Sequence, residues 1–379
     1  MSGPYCTMLL GDMGADVLKV EQPGKGDDTR HWRPPSIGTE SAYYLSVNRN
    51  KRSVTVNLKT EAGVGIIRRL VQGAEVVVEN FSPGTASRLG LGYARLRAVR
   101  PDLVYCSISG FGQHGPESQR TAYDLIVQGM SGLMSITGEP DGPPVRLGVP
   151  IADLAAGMSA AFAIVAALFH RERTGEGQYI DCSMLGSQLA LLTYQAQMYA
   201  ATWEVPPRTG NAHAIISPYQ TFRTRDGHIN VAVGNDGLWL RLCRALDLED
   251  TAERAEWLTN AGRIQNAGEV AAAIQSKLDL LTTEEVMTLL DAAGVPCGPI
   301  YTVPEAIRQP QAREYGLWSE VTNPTLGLIH QLGFPYSLSA SPAEFRLPPP
   351  LLGEHTDEVL VEAGYTPAQV TALREQGVV

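Results

Sequence analysis

The sequence lacks several features that would assign it quickly to a class of protein. It has no excess of positive charge, because 30 Lys and Arg stand against 40 Asp and Glu, for a net charge of −10. A nucleic-acid-binding protein needs a basic face for the phosphates, so we expect no nucleic-acid partner. The five cysteines form no CxxC pair and have no histidine at metal-ligand spacing. They are therefore interpreted as isolated core thiols in a reducing compartment, and no metal site is predicted.

Targeting segments and long hydrophobic runs are also scarce. The first residues carry no cationic region or cleavage site of a secretory signal. The uncharged run that comes nearest to a membrane-span pattern, Leu154–Phe169, has 16 residues, fewer than the roughly 20 that a bilayer span needs. We therefore predict a buried helix there and no membrane partner. The expected location is the cytoplasm or, in a eukaryote, the mitochondrial matrix, although no transit peptide is visible.

The first two hundred residues alternate strand-like and helix-like segments. Strands are predicted at 15–21, 52–58, 74–79, 102–107 and 178–183, with helices at 59–72 and 153–171 between them. Such alternation predicts an α/β fold with a doubly wound, mostly parallel sheet. After Pro206-Pro207 short amphipathic helices take over, which indicates a smaller inserted α+β domain. The predicted domains are 1–200, the first part of the large domain, 201–300, the small domain, and 301–379, the return to the large domain.

A glycine motif follows one of the predicted strands. Gly110–Gly115 fits GxGxxG, the pattern of a dinucleotide-binding turn. That turn must open an amphipathic helix and meet an acidic residue about 20 positions later. Here Pro116 and a polar run follow instead, so nicotinamide or flavin binding is not predicted.

Asp153 stands directly before the long apolar helix and has two interpretations. Aspartate is a favoured N-cap residue, which predicts a structural role. A helix N-terminus also keeps a carboxylate ionised, as a nucleophile must be. Gly148 and Gly157 flank it, so we expect that a bulky substrate could approach closely. The pattern alone leaves these interpretations tied.

Several longer segments, taken together, carry a resemblance to a known family. The sequence resembles the class III coenzyme A transferases (CaiB/BaiF), which include formyl-CoA transferase and the carnitine CoA-transferases. Its segments YYLSVNRNKRS, SQRTAYD and SGLMSITG are similar to those of the succinate–hydroxymethylglutarate (glutaryl) CoA-transferase branch. The segments that carry the resemblance are Gly3–Arg30, Asn48–Lys59, Val78–Gly84, Tyr105–Pro116, Ile151–Gly157, Arg173–Met184 and Pro349–Leu360.

The resemblance implies an activity and a mechanism. The family's nucleophilic aspartate falls on Asp153, which would form an aspartyl–acyl anhydride and then an aspartyl-CoA thioester. CoA would pass from an acyl-CoA, such as succinyl-CoA, to a carboxylic acid, and we expect a dicarboxylic one. CoA and acyl-CoA would be substrates, with no tightly bound cofactor. The resemblance also implies an interlocked homodimer. Family members usually carry a further strand ahead of the segment that matches Gly3-Pro4, and we expect that strand to be absent here, where only Met1 and Ser2 precede Gly3.

The resemblance further implies which residues surround the substrates. Gly234 and Asn235 match the glycine-rich active-site loop, although an ordinary turn is an equal interpretation. His213 is a substrate contact or a satisfied structural histidine. Arg146, Arg208 and Arg49 are candidate partners for a second carboxylate. The residues implied to contact CoA are Gln22, Val56, Lys59, Asn80, Phe81, Ser82, Arg88, Thr121, Ala122, Tyr123 and Asp124.

Two alternative functions stay open at this point. An α-methylacyl-CoA racemase-like isomerase would need a second acid–base group, a histidine where this sequence has Tyr123. Tyrosine, with an ordinary pKa of about 10, suits that role poorly. The other alternative is a non-catalytic CoA-binding protein, which a thioester-exchange assay would distinguish.

Overall fold

The protein, described from a computed structural model covering residues 1–379, has a mixed α/β fold. The strands are β1 Val17–Glu21, β2 Ser36–Ile37, β3 Glu40–Ser41, β4 Lys51–Thr55, β5 Val76–Glu79, β6 Val104–Ser109, β7 Tyr179–Ser183, β8 Tyr219–Arg223, β9 His228–Ala232, β10 Cys297–Pro299, β11 Trp318–Asn323 and β12 Gly327–Leu332. The helices are α1 Ser2–Asp12, α2 Ala42–Leu45, α3 Glu61–Gly73, α4 Thr85–Arg88, α5 Tyr93–Arg97, α6 Asp124–Met130, α7 Ile151–Thr174, α8 Met184–Leu191, α9 Thr193–Thr202, α10 Asp236–Ala245, α11 Glu249–Ala252, α12 Asn260–Gln265, α13 Ala267–Leu278, α14 Thr283–Ala292, α15 Val303–Arg308, α16 Pro310–Glu314, α17 Thr356–Glu362 and α18 Pro367–Glu375.

The chain forms two compact units. Unit 1 contains residues 1–133, 146–202 and 310–379, and unit 2 contains 134–145 and 203–309. The small domain was predicted at 201–300, so unit 2 differs from it mainly by including 134–145. That segment carries no long hydrophobic period that would have separated it from its neighbours.

Unit 1 contains two parallel sheets. Strand β1 pairs with β4, and β6 pairs with β5 on one side and β7 on the other. All six residues of β6 are buried, as expected of a strand covered on both faces. The predicted α/β fold with parallel sheets is therefore confirmed.

A cavity of about 490 Å³ lies within unit 1 between the two sheets. Its walls include β1 and β5, each of which has one unpaired edge, together with the first residues of α1. Unpaired strand edges bordering an apolar cavity suit one more extended segment. Helix α1 begins at Ser2, so the first residues of this sequence do not form that segment.

The long apolar helix of unit 1 is α7. Its inward face consists of small residues and one isoleucine, including Ala152, Ala156, Ala160 and Ile164, which pack with α1, β6 and β7. The helix is long and apolar enough to cross a membrane, but this buried face is typical of a core helix. The remaining face is exposed and apolar, with Met158, Phe162, Val165 and Phe169 at helical spacing.

Unit 2 is built on an antiparallel sheet in the order β10-β9-β8. Short helices cover this sheet and bury one apolar core around Trp239, Trp257, Val270, Ile274 and Leu290. The helical spacing of leucine and valine read from the sequence therefore predicted the right kind of structure here.

Candidate active site

Helix α7 starts two residues earlier than the sequence suggested, and this changes the role of Asp153. The N-cap position is Pro150, which has no side-chain cap, and Leu154 N–H donates to Pro150 O at 3.0 Å. Asp153 is therefore the third residue of the helix. The predicted N-cap role is wrong, because the Asp153 carboxylate accepts no hydrogen bond from its own helix and is directed elsewhere.

The Asp153 carboxylate is held on one oxygen only. Ser2 donates to Asp153 Oδ1 twice, from its backbone N–H at 3.0 Å and from its hydroxyl at 2.5 Å. The Asp153 side chain is 15% exposed, and Oδ2 accepts no hydrogen bond in the structure. The carboxylate lies in the first turn of a 24-residue helix, whose positive end attracts negative charge. One oriented, accessible oxygen is what a nucleophilic carboxylate requires.

Gly157 lies one turn after Asp153 on the same face of α7 and brings α1 close. A Cβ at position 157 would lie 2.9 Å from Ser2 O and 2.9 Å from the Tyr5 ring. Only glycine permits this approach, and the approach places Ser2 beside Asp153. The expectation that Gly157 opens the site to a bulky substrate is therefore wrong, because α1 covers it. Gly148 has no atom within 4 Å of its Cβ position and stays open.

The CoA-contact residues implied by the resemblance follow the carboxyl ends of parallel strands. Gln22 follows β1, the segment 56–59 follows β4, and Asn80–Ser82 follow β5. Ligands of open α/β sheets bind at this edge. Asn80 Oδ1 accepts from Gly3 N–H at 3.3 Å, next to the residue that holds Asp153. The structure thus brings Asn80 and Asp153 together across the start of α1.

The other implied CoA-contact residues differ in what they can offer. Val56 is 1% exposed and packs in an apolar core, so it can support a ligand only through its backbone. Lys59 and Arg88 are exposed cations, and the Arg88 guanidinium donates only to Thr85 Oγ1, at 2.7 Å. The remaining exposed members of the set are Gln22, Phe81, Ser82, Thr121 and Tyr123, and Ala122 is half-buried.

Asp124 differs from these residues because both of its oxygens have protein partners. Oδ1 accepts from Ala152 N–H at 2.8 Å, and Oδ2 accepts from Gln128 Nε2–H at 2.6 Å. Asp124 therefore lies at the start of α7, directly beside the nucleophile candidate.

Gly234 and Asn235 lie in unit 2, whereas Asp153 lies in unit 1. Gly234 follows β9, is exposed, and has no atom within 4 Å of its Cβ position. Asn235 is the N-cap of α10, and its Oδ1 accepts from Leu238 N–H at 2.9 Å. This local role accounts for Asn235 without a substrate.

The three arginines suggested for a second carboxylate have different surroundings. Arg49 is buried and donates to both oxygens of Asp12, at 2.9 and 2.7 Å, so its proposed role is wrong. Arg208, in unit 2, donates to the carbonyls of Glu139 and Gly142. Arg146 is exposed in unit 1, and its only hydrogen bond is to Leu147 O at 3.2 Å. Arg146 is thus the most available of the three.

The remaining sequence candidates have structural roles. His213 Nδ1 accepts from Ile215 N–H, and the ring packs on Tyr219 with centroids 5.2 Å apart. All five cysteines are free thiols, of which Cys297 is half-buried and the other four are buried. Burial raises the pKa of Cys6 to about 12, so this thiol is no nucleophile. No group of three or more His, Cys, Asp or Glu side chains is placed to hold a metal ion.

Two residues near Asp153 were not singled out from the sequence. Ser2 is one, and no signal distinguishes a serine before Gly-Pro from an ordinary turn residue. The other is Tyr43, whose pKa is raised to about 12 by burial and then by the charges of Asp153, Asp124 and Asp27. Its hydroxyl therefore stays protonated at neutral pH and can donate a hydrogen bond.

Fold and site together define an α/β protein whose polar residues collect at the carboxyl ends of parallel strands around one accessible carboxylate. Residues 1–356 match the profile of CoA-transferase family III, and the chain belongs to this family. It is 43% identical to the succinyl-CoA:glutarate CoA-transferase of Homo sapiens over all of this chain and 87% of that protein. It is also 43% identical to the succinate–glutarate CoA-transferase of Agrobacterium fabrum, over 96% of this chain and 92% of that one.

A solved structure gives the same assignment. The crystal structure of a CAIB/BAIF family protein from Brucella suis superposes with a TM-score of 0.85 at 38% identity, covering 96% of each chain. The resemblance read from the sequence is thereby confirmed, and so is the class of enzyme, an acyl-CoA:carboxylate CoA-transferase. CoA thioesters are the substrates of this class.

Proposed function

We propose that this chain transfers CoA to a carboxylic acid through covalent intermediates on Asp153. The observation that carries the proposal is the carboxylate itself, with Oδ1 held by Ser2 and Oδ2 free in the first turn of α7. The two alternatives have less support. An isomerase would need a base at position 123, where an exposed tyrosine stands, and a protein that only binds CoA would not need an oriented carboxylate.

The transfer takes four substitutions at carbonyl carbons. Asp153 Oδ2 attacks the thioester carbon of the donor, the C–S bond breaks, and CoA leaves as thiolate from a mixed anhydride. The thiolate attacks the Asp153 carboxyl carbon and releases the donor acid, which leaves an aspartyl-CoA thioester. The acceptor carboxylate attacks that carbon and displaces the thiolate. The thiolate then attacks the acceptor acyl carbon, which forms the new acyl-CoA and frees Asp153.

Ser2 is placed to stabilise the second and third of these steps. Each passes through a tetrahedral centre at the Asp153 carboxyl carbon, whose oxyanion develops on Oδ1. The Ser2 N–H lies 3.0 Å from that oxygen, within the range of oxyanion-hole donors, and the Ser2 hydroxyl donates a shorter hydrogen bond of 2.5 Å to the same oxygen. The neutral Tyr43 hydroxyl is a further donor for substrate oxygens in this part of the site.

The CoA moiety would lie along the carboxyl ends of β1, β4 and β5. Exposed Lys59 and Arg88 suit its phosphates, and Asn80–Ser82 offer backbone and side-chain polar groups close to Asp153. CoA and acyl-CoA act as substrates in this proposal, and no tightly bound cofactor is needed.

The proposed donor is succinyl-CoA and the proposed acceptor is a dicarboxylic acid such as glutarate. The names of the relatives at 43% identity support this choice, and Arg146 is an available guanidinium for a distal carboxylate. A panel of succinate, glutarate, hydroxymethylglutarate, oxalate and carnitine, read by mass spectrometry of the CoA products, tests it. Much faster turnover of carnitine or a monocarboxylate would contradict the choice.

We also propose a cytoplasmic homodimer in which unit 2 is the inserted small domain. The exposed apolar stripe of α7, Met158, Phe162, Val165 and Phe169, suits a second copy, because stripes of this size rarely face water in a monomer. Light scattering should report twice the chain mass, and Phe162→Asp should reduce it to one chain. A monomeric wild-type protein would contradict this proposal.

The experiment for the central proposal replaces the nucleophile by its amide. In Asp153→Asn the amide oxygen can still accept both hydrogen bonds from Ser2, so the fold should be kept. We expect Asp153→Asn to reduce transfer from succinyl-CoA to the background rate with an unchanged melting temperature. A folded Asp153→Asn variant with near-normal transfer would falsify the proposal.

A further inference from the structure

Helix α7 begins without a cap of its own. The first N–H groups of any helix lack acceptors within the helix, and a side chain at the N-cap commonly supplies one. Here the N-cap residue is Pro150, whose side chain cannot do so. The acceptor for Ala152 N–H is instead Asp124 Oδ1, at 2.8 Å, from the first position of α6. The N-terminus of the helix that carries Asp153 is thus capped by the carboxylate of a residue 28 positions earlier in the sequence.

The second oxygen of Asp124 extends this connection. It accepts from Gln128 Nε2–H at 2.6 Å, one turn along α6. The other end of the same amide, Gln128 Oε1, accepts from Leu147 N–H at 2.9 Å. Gln128 is fully buried, so its amide has little freedom and no competing water. The Asp124–Gln128 pair therefore fixes both ends of segment 147–152, which leads into the helix and ends one residue before Asp153.

We propose that Asp124 and Gln128 are positioning residues that set the orientation of the Asp153 carboxylate through the backbone of segment 147–152. The inference rests on the proposed function, in which Asp153 is the nucleophile. It differs from the CoA-contact role that the resemblance implies for Asp124. A carboxylate whose two oxygens are engaged by Ala152 and Gln128 has less capacity for a ligand, and its contacts point to the nucleophile.

The chain of donors and acceptors offers a matched set of variants. In Asp124→Asn, the new amide can still accept from Ala152 N–H, but its NH2 group faces the Gln128 NH2 group. Rotation of the Gln128 amide would relieve this clash and would place a donor against Leu147 N–H. In the double variant Asp124→Asn/Gln128→Glu, the new carboxylate at position 128 accepts from both the new amide at position 124 and Leu147 N–H. Every hydrogen bond is then restored and the negative charge has only moved by one turn.

The experiment measures four quantities for each variant: kcat and KM for succinyl-CoA, the rate of covalent labelling of Asp153 in a single turnover, and the Kd for CoA alone. For Asp124→Asn we expect kcat and the labelling rate to fall roughly 10- to 100-fold, as for a misplaced catalytic group. The Kd for CoA should stay within about twofold, because the substitution changes the position of Asp153 and removes no contact with CoA. The double variant should recover most of the loss, and Gln128→Glu alone, with two facing carboxylates, should not.

The opposite results would overturn the inference. These are an unchanged kcat in Asp124→Asn, a Kd for CoA that rises in step with the loss of activity, or a double variant no better than the singles. If Asp124→Asn does not fold, Gln128→Met removes the Leu147 bond at similar volume and should lower kcat with an unchanged Kd for CoA. Asp153→Asn in the same assay separates the two proposals. An active Asp153→Asn contradicts the proposed function, whereas an inactive one beside a fully active Asp124→Asn contradicts only this inference.

Discussion

The starts of α7 and α10 carry the two groups of catalytic residues that the resemblance implies, and they are built in opposite ways. Asn235 caps α10 with its own side chain, which accepts from Leu238 N–H. At α7 the capping acceptor is the Asp124 carboxylate, which belongs to another helix, α6. The Asp153 side chain therefore does not cap the helix. Its carboxylate is oriented by Ser2, from a third helix, and keeps one oxygen available.

A polar residue at a helix start becomes available for chemistry when a residue from another element caps that helix. A local cap uses the side chain that provides it, so Asn235 has little left to offer a substrate through Oδ1. A remote cap releases the local side chain but makes the site depend on contacts between α1, α6 and α7. We therefore expect substitutions at these contacts to reduce activity strongly, and a substitution at the local cap to affect mainly stability.

The largest effect among changes outside the carboxylates should come from Gly157→Ala. The added methyl group would lie 2.9 Å from Ser2 O and must push α1 away from Asp153. We expect a loss of about 1–3 kcal/mol in the free energy of unfolding, as for overpacked cores. Because Ser2 moves, kcat should also fall roughly 10- to 100-fold.

Denaturant unfolding and steady-state kinetics check this expectation. Gly148→Ala is the control for stability, because position 148 has open space around its Cβ and should keep the wild-type free energy of unfolding. Equal kcat and stability for Gly157→Ala and the wild type would show that α1 does not hold the carboxylate.

An intermediate effect is expected from Arg88→Ala. Arg88 belongs to the same unit as α7, but its one hydrogen bond is local, to Thr85. Loss of a charged hydrogen bond to a CoA phosphate should raise the KM for succinyl-CoA about tenfold with little change in kcat. Arg95→Ala, on the exposed surface of α5, is the matched control. If Arg88→Ala leaves the KM unchanged and Arg95→Ala raises it, the CoA phosphate binds near Arg95 and not near Arg88.

The smallest effect is expected at the local cap. Asn235→Ala should lower the stability of unit 2 by about 1 kcal/mol, and Asn235→Asp should be nearly neutral, because aspartate caps as well as asparagine. Thermal unfolding followed by the fluorescence of Trp239 and Trp257, both buried in unit 2, reports this difference. If Asn235→Asp instead abolishes transfer without changing stability, Asn235 has a direct part in the reaction.

Much of the fold could be predicted from the sequence, because periodicity depends on local rules. The strands at 17–21, 51–55, 76–79 and 104–109 lie within a few residues of the predicted ranges, since short runs that contain β-branched and aromatic residues and are bounded by turn residues predict strands. Residues 134–145 were assigned to the large domain, whereas they belong to unit 2. Its membership depends on tertiary contacts that leave no periodic pattern.

The site was less accessible to such reasoning. The resemblance led to Asp153, but the sequence could not show that Asp124 caps its helix, because Asp124 and Ala152 are 28 residues apart. Gly157 was interpreted as room for a substrate, whereas it is room for α1. Arg49 was proposed for a substrate carboxylate, and its partner Asp12 is 37 residues away. In each case the missing information is a contact between elements, which local patterns do not encode.

In the proposed reaction, Asp153 becomes covalently linked first to an acyl group and then to CoA. The most direct measurement mixes the wild-type protein with succinyl-CoA, quenches with hydroxylamine, and maps the product by peptide mass spectrometry. Hydroxylamine should convert the activated Asp153 carboxyl group to a hydroxamate, and only the peptide that contains Asp153 should carry it. The Asp153→Asn variant should show no such product. A hydroxamate on another residue, or none in an actively transferring wild-type protein, would contradict the account.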